Sequence, residues 1–175
     1  RRQRQMCIRD RNIESNAVSL CECWGWQKDD VLLHALPIFH VHGLFISSHC
    51  ALLNGSSMIW LPKFEVEQVF SALADSTVLM GVPTFYTRLL NHPGLTQEYV
   101  ENIRVFISGS APLTEQTFNQ WENATGQRIL ERYGMSETII NTSNPLFGDR
   151  IAGSVGFALP GQEVRIIGDD GSVLN

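Results

Sequence analysis

Residues 104–121, RVFISGSAPLTEQTFNQW, change period midway. Arg104–Ser108 is a short apolar run, Gly109-Ser110-Ala111-Pro112 is a small-residue loop, and Thr114 stands where a helix cap belongs. Phe118 and Trp121 then share one helical face. A strand that feeds a helix through a short loop is half of a βαβ unit, and the pattern repeats upstream. Thr77–Met80 is predicted as a strand, closed by Gly81-Val82-Pro83, and Thr84–Asn91 as a helix stopped by His92-Pro93-Gly94. Ser57–Leu61 precedes Glu65–Ala74, where Val66, Val69, Phe70 and Leu73 fall on one helical stripe. Val31–Leu36 precedes Gly43–Leu53, long enough for a buried helix, and Ile13–Trp24 is the body of the first helix. Downstream, Gln127–Glu131 is predicted as a strand and Tyr133-Gly134 as a turn. Ser154–Ala158 and Val164–Ile167 are predicted as short strands among Gly153, Pro160-Gly161 and Gly168, and residues 168–175 as a hairpin turn with the start of its second strand. Regular alternation of strand and helix predicts an α/β fold, a mostly parallel sheet flanked by helices, with a β-rich C-terminal end. The expected division is 1–11, 12–150 and 151–175.

Composition agrees with a packed domain. Hydrophobic residues make up 43% and charged residues 18% of the 175, enough apolar material for a core and too little charge for disorder. No uncharged apolar run approaches the ~18 residues a membrane span needs. The net charge of −5 is uneven: five of the 13 basic residues lie in residues 1–11, leaving the remainder at −9. Such a body is a poor partner for nucleic acid, where Lys and Arg must neutralise phosphates. The arginine-rich start has neither an apolar h-region nor amphipathic periodicity, and is taken as a foreign or ragged segment. Cys7, Cys21, Cys23 and Cys50 form no CxxC pair, which predicts reduced thiols rather than a zinc site.

Parallel α/β sheets bind ligands beyond the carboxyl ends of their strands, which directs attention to four loops: Pro37–Gly43, Gly81–Arg88, Ser108–Pro112 and Tyr133–Thr138. In Glu131–Thr138, Tyr133 offers a flat face, Gly134 permits close backbone approach, Ser136 and Thr138 carry hydroxyls, and Glu137 can ligate Mg²⁺. The same composition also suits a plain polar turn. Ser108–Pro112 offers backbone N–H donors at a helix start, a common arrangement. His40 and His42 lack a third metal ligand nearby, so they line a pocket or hydrogen-bond locally. Arg88 either snorkels to water or awaits an anion such as a carboxylate.

Taken in order, FHVHG, SGSAPL, ERYGMSET and GSVGFALPG resemble the adenylate-forming superfamily of acyl-CoA synthetases, luciferases and peptide-synthetase adenylation domains, over about residues 12–175. Within it, LPIFHVHGLF, LPKF, LMGVPTFYTRLL, FISGSAPL and ERYGMSETIINTSNP look most like the malonyl-CoA synthetase subgroup. The resemblance implies part of the large N-terminal domain of such an enzyme and the start of its β-rich subdomain. It implies ATP and CoA as co-substrates, Mg²⁺ as the cofactor, and malonate or methylmalonate as the acid. It makes Glu137 the Mg²⁺ holder, Ser136 the α-phosphate contact and Tyr133 the adenine stack. Ser110, Ala111, Pro112, Glu131, Arg132, Gly134 and Thr138 would border the nucleotide, and Arg88, His40, His42, Ser108 and Met135 the acid. Arg88 would pair with the distal carboxylate.

The reaction so implied is acyl-adenylate formation followed by displacement of AMP by the CoA thiol. The family's phosphate loop with its lysine belongs just before Arg11-Asn12, where arginines stand, and the ribose-binding Asp, the hinge and the C-terminal lysine domain are also missing. The 175-residue chain is therefore expected to be inactive alone. A ligase for a short or medium monocarboxylic acid and a non-catalytic nucleotide- or acyl-binding module are the alternatives. The expected compartment is the cytoplasm, or the mitochondrial matrix for a eukaryotic source.

Overall fold

The computed structural model describes residues 10–174. Residues 1–9, with Cys7 and most of the arginine-rich segment, lie outside the described residues. The first helix, α1 (Asp10–Cys23), begins at Asp10, three residues before the predicted body, and takes in Arg11.

Five strands build a parallel sheet in the order β2-β1-β3-β4-β5: β1 (Val31–His34), β2 (Ser57–Trp60), β3 (Val78–Gly81), β4 (Val105–Ser108) and β5 (Leu130–Met135). Every residue of β3 and β4 is buried. Because successive side chains point to opposite faces, both faces of the sheet are covered. The helices fall into two packed groups. One is α3 (Val66–Leu73), α4 (Pro83–Leu90) and α5 (Glu115–Thr125), packed in sequence. The other is α1, a π-helical turn over His42–Ser48, and α2 (His49–Asn54), which continues it.

Local chemistry explains these elements. On α3 the stripe residues Val69, Phe70 and Leu73 are buried and Val66 is half-buried, as the spacing predicts. Pro83 occupies the first turn of α4, where its missing N–H costs nothing. Thr114 caps α5 by accepting from the Thr117 N–H at 3.1 Å. Trp121, Tyr86 and Phe106 meet edge to face, tying α5 and α4 to β4. The Tyr86 hydroxyl donates to the Ile107 carbonyl at 2.6 Å, so this buried phenol costs no unsatisfied group.

The C-terminal half departs from the prediction. Tyr133-Gly134 is no turn: β5 runs through it to Met135 and reverses over residues 136–138. It then pairs antiparallel with β6 (Ile139–Ser143), a strand the sequence did not suggest. The register shifts between Tyr133 and Gly134, a bulge. A Cβ on Gly134 would run into the Ile139 carbonyl, so its close approach is to the neighbouring strand. The predicted strands 154–158 and 164–167 shrink to β7 (Phe157–Ala158) and β8 (Ile166–Ile167). The first joins β6, and the second pairs with β9 (Val173–Leu174) as a separate hairpin. Likewise Gly43–Leu53 splits into its π-helical and α-helical parts.

Candidate active site

The cleft at the carboxyl ends of the strands starts with the π-helical turn. His34, on β1, places Nε2 3.0 Å from the Gly43 carbonyl, and Ser48 donates to the same oxygen at 2.8 Å. Ser47 donates to the His42 carbonyl at 2.9 Å. Wide helical turns of this kind are frequent at functional sites. This one fixes His42 with its ring buried and Nδ1 3.2 Å from the Ser110 hydroxyl. His40, exposed, accepts through Nδ1 from the His42 backbone N–H at 3.2 Å.

The opposite wall is the β5–β6 ribbon. Arg132 is 3% exposed, and its Nε and Nη2 have no protein acceptor. Burial pulls its guanidinium down to about 10, still charged at neutral pH. Gly109 makes room for it: a Cβ there would lie 2.5 Å from the guanidinium carbon. Burial, and then the Arg132 charge, hold His42 well below the usual imidazole range, so the ring is neutral, and its Nε2 has no partner. Burial also pushes the Glu131 carboxyl up, and its Oε2 has no partner.

Together these residues enclose a cleft of about 260 Å³, lined by His40, Val41, His42, Ile46, Ser110, Arg132, Gly134, Met135, Ser136, Glu137 and Ile139. Among the described residues only Ser110 and Ile139 adopt positive φ without being glycine, at 71° and 64°, and both line this cleft. Left-handed backbone at a β-branched residue is costly, of the order of 1–3 kcal/mol, and such strain gathers at ligand sites.

A second, polar cleft of about 440 Å³ adjoins the first and shares Glu137 and Ile139 with it. Its other walls include Asn12, Ser15, Asn16 and Ser19 from α1, with Thr138, Asn141 and Gln162. Asn16 also ties α1 to β6, donating to the Ile140 carbonyl at 2.8 Å and accepting from its N–H at 3.3 Å. These α1 residues were missed from the sequence. Their signal was present as a polar stripe at 12, 15, 16 and 19, spaced as one helical face.

Of the predicted site residues, then, His40, His42, Ser110, Arg132, Gly134, Met135, Ser136 and Glu137 converge on one cleft, and Thr138 on its neighbour. Thr138 donates to Asn141 Oδ1 at 2.6 Å. Tyr133 is exposed beside them, Ala111 and Pro112 are exposed on the loop into α5, and Ser108 is buried with its hydroxyl unpartnered. Arg88 lines neither cleft. It is exposed at the last turn of α4, its guanidinium 4.8 Å from the Phe64 ring centre, and makes no hydrogen bond or ion pair among the described residues. Among those residues no three metal-binding side chains cluster, and no helix is long and apolar enough to cross a membrane. Cys21, Cys23 and Cys50 are free thiols, as expected of unpaired cysteines.

The chain is similar to known proteins in sequence and in fold. The profile of a family described as AMP-binding enzyme matches residues 6–175. A mitochondrial malonate–CoA ligase of Mus musculus is 42% identical over 176 residues, covering 91% of this chain and 30% of the relative. The structure of ATP-bound MatB from Rhodopseudomonas palustris superposes with a TM-score of 0.91 at 52% identity, covering 94% of this chain and 33% of that one. A malonyl-CoA ligase product complex with methylmalonyl-CoA and AMP gives a TM-score of 0.83 at 39% identity, covering 88% of this chain and 34% of that one. The chain thus spans about a third of the length of these relatives.

Proposed function

The chain belongs to the AMP-binding enzyme family, and on that premise we propose that it is the acid- and nucleotide-facing section of an AMP-forming ligase that activates malonate or methylmalonate with ATP and passes it to CoA. One observation carries the choice of acid class: two buried side chains lining a small cleft, Arg132 and His42, have ring or guanidinium nitrogens with no protein partner. We assign the Ser110 hydroxyl as the donor to Nδ1, which places the proton of the neutral His42 ring on Nε2. A fixed cation and a neutral N–H at one site suit the oxygens of a carboxylate. The malonate ligases among its relatives support the same acid.

The acid's reacting carboxylate attacks the α-phosphorus of ATP and pyrophosphate leaves; the CoA thiol then attacks the acyl carbon and AMP leaves. The first step needs charge stabilisation and alignment more than proton transfer. Ser136 supplies a hydroxyl to the α-phosphate from the turn between β5 and β6. The polar cleft beyond Glu137 suits the nucleotide, with Tyr133 as the exposed face for the base. Glu137 is the one carboxylate lining either cleft, which fits Mg²⁺, an ion that takes a carboxylate or two plus substrate phosphates and would neutralise phosphate charge. Arg88, with its donors unengaged, is assigned to the distal carboxylate. The ligase is assigned to the cytoplasm, with the mitochondrion, named for the mouse relative, as the alternative.

The test is made on a full-length ligase carrying this segment. Arg88→Ala should cut kcat/KM for malonate at least about tenfold and leave acetate unchanged, about 1.4 kcal/mol of selective loss. Equal loss on both acids would overturn the dicarboxylate assignment.

A further inference from the structure

Away from both substrates, α1 and α2 bring the Cys21 sulfur against the backbone of Cys50. Cys21 on α1 is half-buried, and its Sγ lies 3.9 Å from the carbonyl of Cys50 on α2, whose own thiol is buried. Asn54 binds both residues, donating to Cys21 Sγ and to the Cys50 carbonyl, each at 2.9 Å. Cys23, two residues further along α1, has no such partner among the described residues.

We propose that Cys21 and Cys50 form a peroxide-driven, reversible disulfide that cross-links α1 to α2. The Cys21 thiolate attacks one oxygen of hydrogen peroxide, the O–O bond breaks, and the departing hydroxide takes up the proton the thiol had lost and becomes water. Cys50 sulfur then attacks the Cys21 sulfenic acid. The S–O bond breaks, a second water leaves with the Cys50 proton, and the S–S bond closes at about 2.05 Å. Both sulfurs are oxidised and one peroxide is reduced to two waters.

The order of attack follows from the surroundings. Contact with Cys50, opposed by burial and aided by the Asn54 amide, leaves the Cys21 thiol below its ordinary value. Contact with Cys21 and burial push the Cys50 thiol well above that value. Cys21 is thus the half-accessible nucleophile, and Cys50 the enclosed resolving thiol, whose attack needs no path to solvent.

The bond would tie both walls of the acid cleft, since α1 grips β6 through Asn16 and α2 continues the turn that carries His42. It is independent of which acid the cleft accepts.

The 175-residue chain, exposed to stoichiometric hydrogen peroxide, is alkylated, digested and analysed by mass spectrometry. The expected result is a Cys21–Cys50 peptide, loss of two of the four thiols in a thiol titration, and full recovery with dithiothreitol. Cys23→Ser should retain the cross-link. Cys50→Ser should leave a Cys21 sulfenic acid that dimedone traps at least tenfold faster than any adduct at Cys23. Retention of all four thiols, or pairing of Cys21 with Cys7 or Cys23, would overturn the proposal.

Discussion

Two acid–arginine pairs of this sheet, Asp30 with Arg104 and the consecutive Glu131 and Arg132, are treated in opposite ways. At the amino end of β1, Asp30 accepts from Arg104 Nε at 2.7 Å and Nη2 at 2.5 Å, from the Thr77 hydroxyl at 2.8 Å and from the Gln27 N–H at 2.8 Å. On β5, Glu131 and Arg132 are adjacent in the chain and both buried, Arg132 more deeply than Arg104, yet Glu131 Oε2 and Arg132 Nε and Nη2 have no partner. The first arrangement holds the sheet together. The second leaves Arg132, on the wall of a cleft, with its hydrogen-bonding capacity unspent.

Removing each cation in turn should therefore give opposite results. Arg104→Ala strands a buried carboxylate and should cost about 3–5 kcal/mol in urea unfolding, the largest effect here. Burial alone raises the Asp30 carboxyl, but the Arg104, Gln27 and Thr77 contacts outweigh it and leave it below the ordinary value. The pair's contribution is accordingly complete above the ordinary carboxylate pKa and is lost as pH falls through the lower folded value. In the Arg104→Ala variant that acid transition should move upward in pH. Arg132→Met should leave unfolding free energy within about 1 kcal/mol or raise it, while acid activation in the full-length ligase falls at least about 100-fold, or ~2.7 kcal/mol. A destabilisation of Arg132→Met as large as that of Arg104→Ala would erase the contrast.

Smaller changes sharpen it. Ser110→Gly releases left-handed strain and should stabilise by about 1 kcal/mol in thermal melts, while weakening ligand binding in the cleft through loss of the hydroxyl on His42. Thr114→Ala removes the α5 cap and should cost about 1 kcal/mol or somewhat less, with no change in ligand affinity by calorimetry.

The parallel half was legible for a physical reason. β3, β4 and the stripe of α3 are apolar runs whose period states which face is buried, and Gly81-Val82-Pro83 and Thr114 punctuate the helix starts. The β5–β6 ribbon was not, because its sequence, ERYGMSETIINTS, carries polar groups at buried positions. Glu131 and Arg132 are buried in a stretch whose composition also suits a polar turn, and Thr142 and Ser143 are buried in a strand the sequence did not suggest. Three of the four loops, with Arg132 just before the last of them, supply eight candidate residues that meet in one cleft, and the fourth, Gly81–Arg88, supplies none. The polar stripe of α1 was passed over because an amphipathic helix ordinarily turns such a face to water.

The sequence by itself determined the order of strand and helix as far as α5, the strands' carboxyl ends as the place where such a sheet binds ligands, and the types of side chain available there. Those follow from local periodicity and from the rule that a parallel pair needs a crossover. Only the tertiary structure decided that Arg132 is enclosed and unpaired while Arg88 stands exposed over Phe64. It also decided that Glu137 separates two clefts and that Cys21 meets Cys50. Each of these depends on contacts between residues far apart in the chain, which no local pattern encodes.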